Sequence, residues 1–514
     1  MDFKTTAETI PAAENIYSGI QEQTIELDYI LPDYYPDIFR LVRCETVPVI
    51  TGYSVIGDKL SYELRCDIRI LYCGEGSRSL QSVEQHQTFS RTADIGKSCE
   101  CPEITIIPKS DHINFRAVNK RRLDMRGAVS VKINVTGENM QEVISDAEGM
   151  NIQLRKTPVR FASQKLTAEK IVNISDDVSL SQTQPNADGI VNVRCRALEC
   201  EKKTVSGKLL VKGDISVELL YSSNTVEGCA IEPLSFTLPY SQIVDFDGLD
   251  DSFTCKVTPE ILTCEVSPTA DDPHKIACEA EVRLICRAVK TSSVMLVTDA
   301  FSTVYPCDVA FSDINAEQIP VVCTENFTHT AVLAEGDSVP KTVYAVWCVP
   351  KNINSRLSDD GKSLVISGML TYSMAAEDGS GAVIMPDRDE AFEKNILLPE
   401  ISETPPANVQ ITVKDVSYNI TSDGALTAQT EISAEITVTD CENIHVVTDI
   451  VINDAERKKR DGDYAVKLYF GTENEKIWDI AKRCSTSVSA IMEENELVGE
   501  KLQSGSMLLI PIVT

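Results

Sequence analysis

At 514 residues the chain is too long for one hydrophobic core, so three or four domains are expected. Its 43% hydrophobic and 25% charged residues are those of ordinary globular protein, which excludes a disordered chain, and no apolar run approaches the roughly 20 residues of a membrane-spanning helix. A net charge of −30 sets the chain against nucleic acid, whose phosphates it would repel, while leaving basic protein surfaces open as partners.

Residues 1–25 read as a short lead-in. From Met1 to Gly19 the sequence is polar and carries acids, without the basic start and apolar centre of a secretory signal, so a cytosolic origin is expected. In Leu31-Pro32-Asp33-Tyr34-Tyr35-Pro36-Asp37-Ile38 two prolines four apart forbid a continuous helix and hold Leu31 and Tyr35 extended. Asp33 and Asp37 invite comparison with an acid–base pair. Beside two prolines they are better suited to capping local turns.

A turn signal at Gly57-Asp58 opens the first clear strand. Leu60, Tyr62, Leu64, Cys66, Ile68 and Ile70 alternate there with polar residues, one face for a core and one for water. Gly74-Glu75-Gly76 closes it, a long polar connection runs from Glu75 to Asn119, and a second alternating strand carries Leu123, Met125, Val129, Val131, Ile133 and Val135. The basic cluster Lys120, Arg121, Arg122 stands at its entrance, with no role that sequence alone assigns. The plan returns after Gly207 (Val211, Ile215, Val217, Leu219, Tyr221, then Ile276, Cys278, Ala280, Val282, Leu284, Cys286) and after Gly361 (Leu364, Ile366, Leu370, Tyr372, Met374, then Leu426, Ala428, Ile432, Ala434, Ile436, Val438). The openings lie 150 and 154 residues apart, and the second strands follow 66, 69 and 65 residues after each opening glycine. Three serial antiparallel β-sandwich-like modules are predicted, at 26–140, 150–300 and 320–445. The 17 cysteines are scattered: Cys66, Cys278 and Cys286 take inward positions, Cys99 and Cys101 are two apart, and no CxxC pair occurs. Buried, reduced thiols are expected, and no metal site.

The segment Leu31–Ile38, the strand start Gly57-Asp58-Lys59-Leu60 and the strand Arg121–Arg126 resemble the SPOCS domain, long catalogued as a domain of unknown function (DUF3794) and found in sporulation proteins of clostridia. The resemblance covers roughly residues 26 to 445 and is fullest in the first module. The third module has Thr421-Ser422-Asp423-Gly424 in place of the basic entrance, so the cluster's role is not expected there. Residues 446–462 form a charged linker, and its basic run Arg457-Lys458-Lys459-Arg460 reads as solvated.

From residue 463 to residue 514 the order β-α-α-β is predicted. Tyr464, Val466, Leu468 and Phe470 make a short strand, and Ile477, Trp478, Ile480 and Ala481 a core-facing helix stripe. Ser487 is placed to cap a second helix bearing Val488, Ile491 and Met492, and Leu508–Ile512 returns as a strand. This stretch resembles a LysM module: Trp478-Asp479-Ile480-Ala481-Lys482-Arg483, Ser487-Val488, Ile491, Asn495, Leu497, Leu502, Ser504-Gly505 and Leu509-Ile510-Pro511 stand where that family's pattern has them. LysM domains bind N-acetylglucosamine-containing glycans, peptidoglycan above all. The resemblance therefore implies a glycan- or partner-binding groove between Gly471, Thr472, Glu473, Asn474, Glu475, Lys476 and Asn495, Glu496, Leu497, Val498. The family's Gly-Asp-Thr-Leu before the tryptophan is replaced by Glu473-Asn474-Glu475-Lys476-Ile477, a longer turn. Trp478 shares the helix stripe and is expected in the core. A single LysM binds weakly, so tight retention would need several copies.

Five isolated histidines (His86, His112, His274, His329, His445) and the absence of a nucleophile elbow, phosphate loop or HExxH motif leave no catalytic constellation, and no cofactor is expected. The expected fold is mainly β with a small α+β terminal domain. Together the resemblances imply a non-enzymatic scaffold of the bacterial spore envelope, made in the mother-cell cytoplasm and placed at the forespore surface. Its partners would be a spore coat morphogenetic protein, cortex peptidoglycan or both, with self-association open. The alternative is a peptidoglycan-binding LysM protein whose β-modules are spacers.

Overall fold

The two alternating segments of each repeat are the central strands of two facing sheets, which is why they carry the clean period of two. The computed structural model describes residues 3–75, 80–98, 102–198, 200–225, 228–317, 321–359, 363–379, 381–397, 407–422, 424–438, 441–459 and 465–511. Gly76, Cys99, Cys101, Gly361, Asp423, Arg460, Tyr464 and Ile512, named above, lie outside the described residues.

The first unit has six strands: β1 (Lys4–Ile30), β2 (Ile38–Ile56), β3 (Lys59–Gly74), β4 (Leu80–Asp94), β5 (Glu103–Asn119) and β6 (Arg122–Glu148). They form antiparallel sheets in the orders β1-β6-β5 and β2-β3-β4. Leu60, Leu64, Cys66, Ile68 and Ile70 of β3 meet Leu123, Met125, Val129, Val131 and Ile133 of β6, and none of the ten is more than 2% exposed. Each buried aliphatic side chain contributes roughly 1.5–3 kcal/mol, so this one seam dominates the unit's stability. Gly57 turns the β2–β3 hairpin at a φ of +65°, the left-handed geometry that its two-residue turn requires.

The second unit repeats the plan with β7 (Ile152–Ser179), β8 (Gly189–Ala197), β9 (Glu201–Val205), β10 (Lys208–Thr225), β11 (Gly228–Asp245), β12 (Thr254–Thr269) and β13 (Asp272–Ser302). Here β10 and β13 are central. The third has β14 (Cys307–Glu317), β15 (Val321–Ala334), β16 (Thr342–Leu357), β17 (Ser363–Glu377), β18 (Val383–Ile384), β19 (Asp387–Leu397), β20 (Ala407–Ile420), β21 (Leu426–Val438) and β22 (Cys441–Ile452), with β17 and β21 central. A terminal module follows: β23 (Val466–Gly471), α1 (Ile477–Cys484), α2 (Val488–Glu494) and β24 (Ser506–Pro511). The chain is thus mainly β, three sandwiches in series with a small α+β end.

Several expectations change. Residues 1–25 are no lead-in: from Lys4 they form β1, which pairs with β6 from Lys4–Glu148 to Ile30–Arg122. The connection from Glu75 to Asn119 contains β4 and β5, edge strands whose solvent side hides any apolar rhythm. The expected linker starts late, because β22 runs on to Ile452. Cys195 and Cys264 are joined by a disulfide between β8 and β12, so not all thiols are free, while Cys66, Cys278 and Cys286 are free and buried.

The outer strand pairs overshoot their sandwiches. The ends of β1/β6, β7/β13 and β14/β22 pack together through Ile10, Val143, Val159, Leu296, Ile314 and Val446. Separately, Leu71 and Leu80 of the first unit, Val191 and Leu220 of the second, and Trp347 and Met385 of the third share one cluster. Charged contacts run around the same circle. Arg194 reaches Glu45 of the first unit (2.8 Å), Arg43 reaches Asp387 of the third (2.6 Å), and Arg196 donates to the Lys414 carbonyl (3.0 Å). The three units close a ring.

The basic entrance acts within the fold. Arg121 donates to the carbonyls of Leu31 (3.1 Å), Pro32 (2.6 Å) and Tyr35 (3.3 Å) and to the Asp37 carboxylate (2.6 Å), so it staples the proline-punctuated loop. Asp37 is therefore an ion-pair partner and not a turn cap. Lys120 pairs with Glu75 and Arg122 with Asp28 at the surface. In the second unit His274 takes the place of Arg121: the Leu180 N–H meets its carbonyl as the Leu31 N–H meets that of Arg121, and its ring nitrogens lie 3.1 Å from Asn186 Oδ1 and the Ser181 carbonyl. The third unit replaces the loop with a single 3₁₀ turn at Gly336–Ser338.

Arg121→Met removes the one side chain that donates to three carbonyls and a carboxylate of this loop, and is expected to lower the unfolding free energy of the first unit by about 3 kcal/mol. Lys120→Met removes only a solvent-exposed ion pair and should leave the urea midpoint nearly unchanged. Urea titrations followed by circular dichroism compare the two.

Candidate functional site

The terminal module folds around a small apolar centre: Ile477, Ile480 and Ala481 of α1, Ile491 of α2, Leu502, and Leu508 and Ile510 of β24. Ser487 caps α2, its Oγ accepting the Ala490 N–H at 3.2 Å, as its position predicts. Ser485 ends α1 at a φ of 52°, which turns the chain sharply between the helices.

The first expected loop is built close against its neighbours. A Cβ on Gly471 would stand 2.3 Å from Leu502 Cδ1, so any larger residue there would push the Leu502 side chain aside. Glu475 folds back into the loop, accepting from the Tyr469 hydroxyl (2.6 Å) and the Thr472 N–H (3.0 Å), with Arg483 at 3.5 Å. The hydrogen bond from Tyr469 holds the Glu475 carboxyl below the ordinary carboxylate range. Asn474, at a φ of 65°, donates its N–H to the Leu502 carbonyl (2.8 Å), and Lys476 bridges Lys501.

In the second loop Asn495 binds both main-chain groups of Leu509: its Oδ1 accepts the N–H and its Nδ2 donates to the carbonyl, each at 2.7 Å. Leu497 is half-buried against the module core and its N–H meets the Met492 carbonyl (3.0 Å). Glu496 takes a φ of 49° and Val498 is 89% exposed. The segment Glu500–Leu502 follows this loop and hydrogen-bonds the first, linking the two. Of the ten expected groove residues, Thr472, Glu473, Asn474, Lys476, Glu496 and Val498 present side chains to solvent. Gly471, Glu475, Asn495 and Leu497 instead hold the loops in shape.

Sequence reasoning missed a second surface. The strand at Val466, Leu468 and Phe470 forms, but these residues face outward, while Tyr469 packs toward the helices. Across the sheet they pair with apolar residues, Val466 with Pro511, Leu468 with Leu509 and Phe470 with Met507. Leu468 is 62%, Phe470 71% and Met507 64% exposed. The basic run is not wholly solvated either: Lys458 donates from Nζ to the Ser302 carbonyl at 2.7 Å. Trp478 is buried as expected, though partly by Phe301 of β13.

Residues 472–511 match the family model of the LysM domain, and residues 186–269 that of the SipL, SPOCS domain. The chain carries a SPOCS domain and a LysM domain. The SPOCS match lies in the second unit, from β8 to β12, and not in the first, where the resemblance reads as fullest. No curated protein and no solved structure matches the chain. The two domains fit a sporulation-related protein with a peptidoglycan-binding module, and neither indicates an enzyme family. Among the described residues no group of three or more His, Cys, Asp or Glu side chains is placed to hold a metal ion, and no helix is long and apolar enough to cross a membrane.

Asn495→Ala frees both main-chain groups of Leu509 and should cost the LysM domain about 2 kcal/mol, whereas Val498→Ala should be neutral, as read from chemical denaturation of the domain's near-ultraviolet signal. Glu475 has a folded pKa below its unfolded one, so its contribution is present above the unfolded value and lost as pH falls through the folded one. The melting temperature of the LysM domain should therefore drop on acidification below about pH 4, and Glu475→Gln should flatten that acid limb.

Proposed function

We propose that this chain is a non-enzymatic scaffold of the bacterial spore envelope. Its ring of sandwiches is the body, and its LysM domain docks a spore coat protein at the forespore surface from the mother-cell side. The observation that carries this reading is the outward apolar sheet face of Leu468, Phe470, Met507 and Leu509. Covering such side chains stabilises a complex by roughly 1.5–3 kcal/mol each when they are fully buried, and an apolar protein surface covers them at no polar cost. A glycan covers the aliphatic Leu468, Met507 and Leu509 poorly, because hydroxyls laid on aliphatic carbon lose hydrogen bonds to water. The absence of a catalytic constellation in the sequence agrees with a binding role.

A second reading, a peptidoglycan or N-acetylglucosamine-glycan binder, is supported by the LysM match and by the six exposed loop side chains from Thr472 to Val498. The two readings use different faces of one domain, so they can be separated.

A fluorescent fusion of the full chain should form a ring around the forespore, and the paired variant Leu468→Asp with Phe470→Asp, outward on the sheet, should spread it through the mother cell. An unchanged ring would remove the docking role. Co-sedimentation with purified sacculi tests the glycan reading: retention that the paired variant keeps and Glu496→Arg loses would favour it over the first.

A further inference from the structure

We infer that the LysM domain is a fixed part of the second unit, held by a receptor corner on β13, and not a module swinging on a tether. This inference is independent of which ligand the domain binds.

The corner arises from a repeated backbone device. The last strand of each unit carries a bulge at the same place: the registers skip Ser145 in β6, Thr298 in β13 and Thr448 in β22. An aspartate follows each bulge, and Oδ1 of Asp146, Asp299 and Asp449 accepts the N–H of the next residue at 2.9, 2.8 and 2.9 Å. Bulges re-aim side chains, and these three aim a carboxylate away from the ladder.

The surroundings of the three differ. Asp146 lies opposite Thr6, has Glu148 two residues on, and pairs with Lys156 at 2.7 Å. Asp449 lies opposite Ala310 and has Val451 two residues on. Asp299 lies opposite Arg155 and has Phe301 two residues on, so the second unit supplies a carboxylate, a cation and an aromatic edge together.

The first helix of the LysM domain fits that corner. Trp478 and Lys482 are four residues apart and share one helix face. The Trp478 indole N–H donates to Asp299 Oδ2 and Lys482 Nζ to Asp299 Oδ1, both at 2.7 Å. Phe301 meets the indole edge-on with centroids 5.0 Å apart, and the Arg155 guanidinium lies 5.9 Å from its centroid. The approach is pinned as well: Asn453 donates to the Pro306 carbonyl (3.0 Å), and the Lys458 N–H donates to the Val304 carbonyl (2.9 Å). Seated this way, the domain keeps the exposed loops at Thr472–Asn474 and Glu496–Val498 and the apolar sheet face free.

The test cuts the tether. A specific protease sequence inserted after Ala455, in an exposed turn, lets the LysM fragment be severed from the otherwise full chain. The severed fragment is expected to co-elute with the body on gel filtration. Asp299→Ala is expected to weaken its retention by about tenfold or more, since a charge-assisted hydrogen bond from the indole and an ion pair to Lys482 are lost together. Lys482→Ala, at a half-exposed side chain that cannot threaten folding, is expected to weaken it a few-fold. Release of the fragment from the unsubstituted body, or equal retention by all three chains, overturns the inference.

Discussion

Each unit begins and ends on the same pair of strands, and this long antiparallel closure is the constraint on which the architecture depends. β1 pairs with β6 and β7 with β13 along their full lengths, and β14 and β15 pair with β22 and β21. Because both ends of a unit leave at one end of the closing pair, the next unit must start there too. Three overhanging strand pairs are thus brought side by side, and packing them together buries their apolar faces. The ring follows from the closure. The pairing of residues some 140 positions apart, Lys4 with Glu148, also makes each unit a non-local fold whose assembly waits on its last strand.

Within that repeated frame the units keep geometry and exchange chemistry. The interior tyrosines Tyr72 and Tyr221 donate to the carbonyls of Pro36 and Pro185, whereas Tyr372 meets Thr430. Arg121 and His274 brace the same loop with different side chains. The aspartates after the bulges serve an ion pair in one unit and the LysM domain in another. The repeated backbone thus carries different contacts in different units.

What could be read from the sequence follows from burial. β3, β6, β10, β13, β17 and β21 are central, so one face is wholly buried and the period of two is clean. Edge strands such as β4 and β5 mix polar and apolar residues and looked like connection. β1 reads as a lead-in because its partners lie roughly 90 to 140 residues away, and no local pattern announces such pairing. In the LysM domain the helix stripe and the Ser487 cap were legible, being local. The orientation of β23 was not: alternation marks two faces but does not say which is inside when the sheet has only two strands. The role of Asp299 was equally hidden, because its partner Trp478 is 179 residues distant. The groove positions were legible only through family resemblance, and the structure shows that four of the ten serve the fold of their own loops.

The seat of the LysM domain lies near the end of β13, and the loop braced by His274 lies at its beginning. The intervening strand of more than twenty residues spans on the order of 80 Å. The LysM domain and the loop braced by His274 therefore sit at opposite ends of one continuous strand, separated by roughly that length.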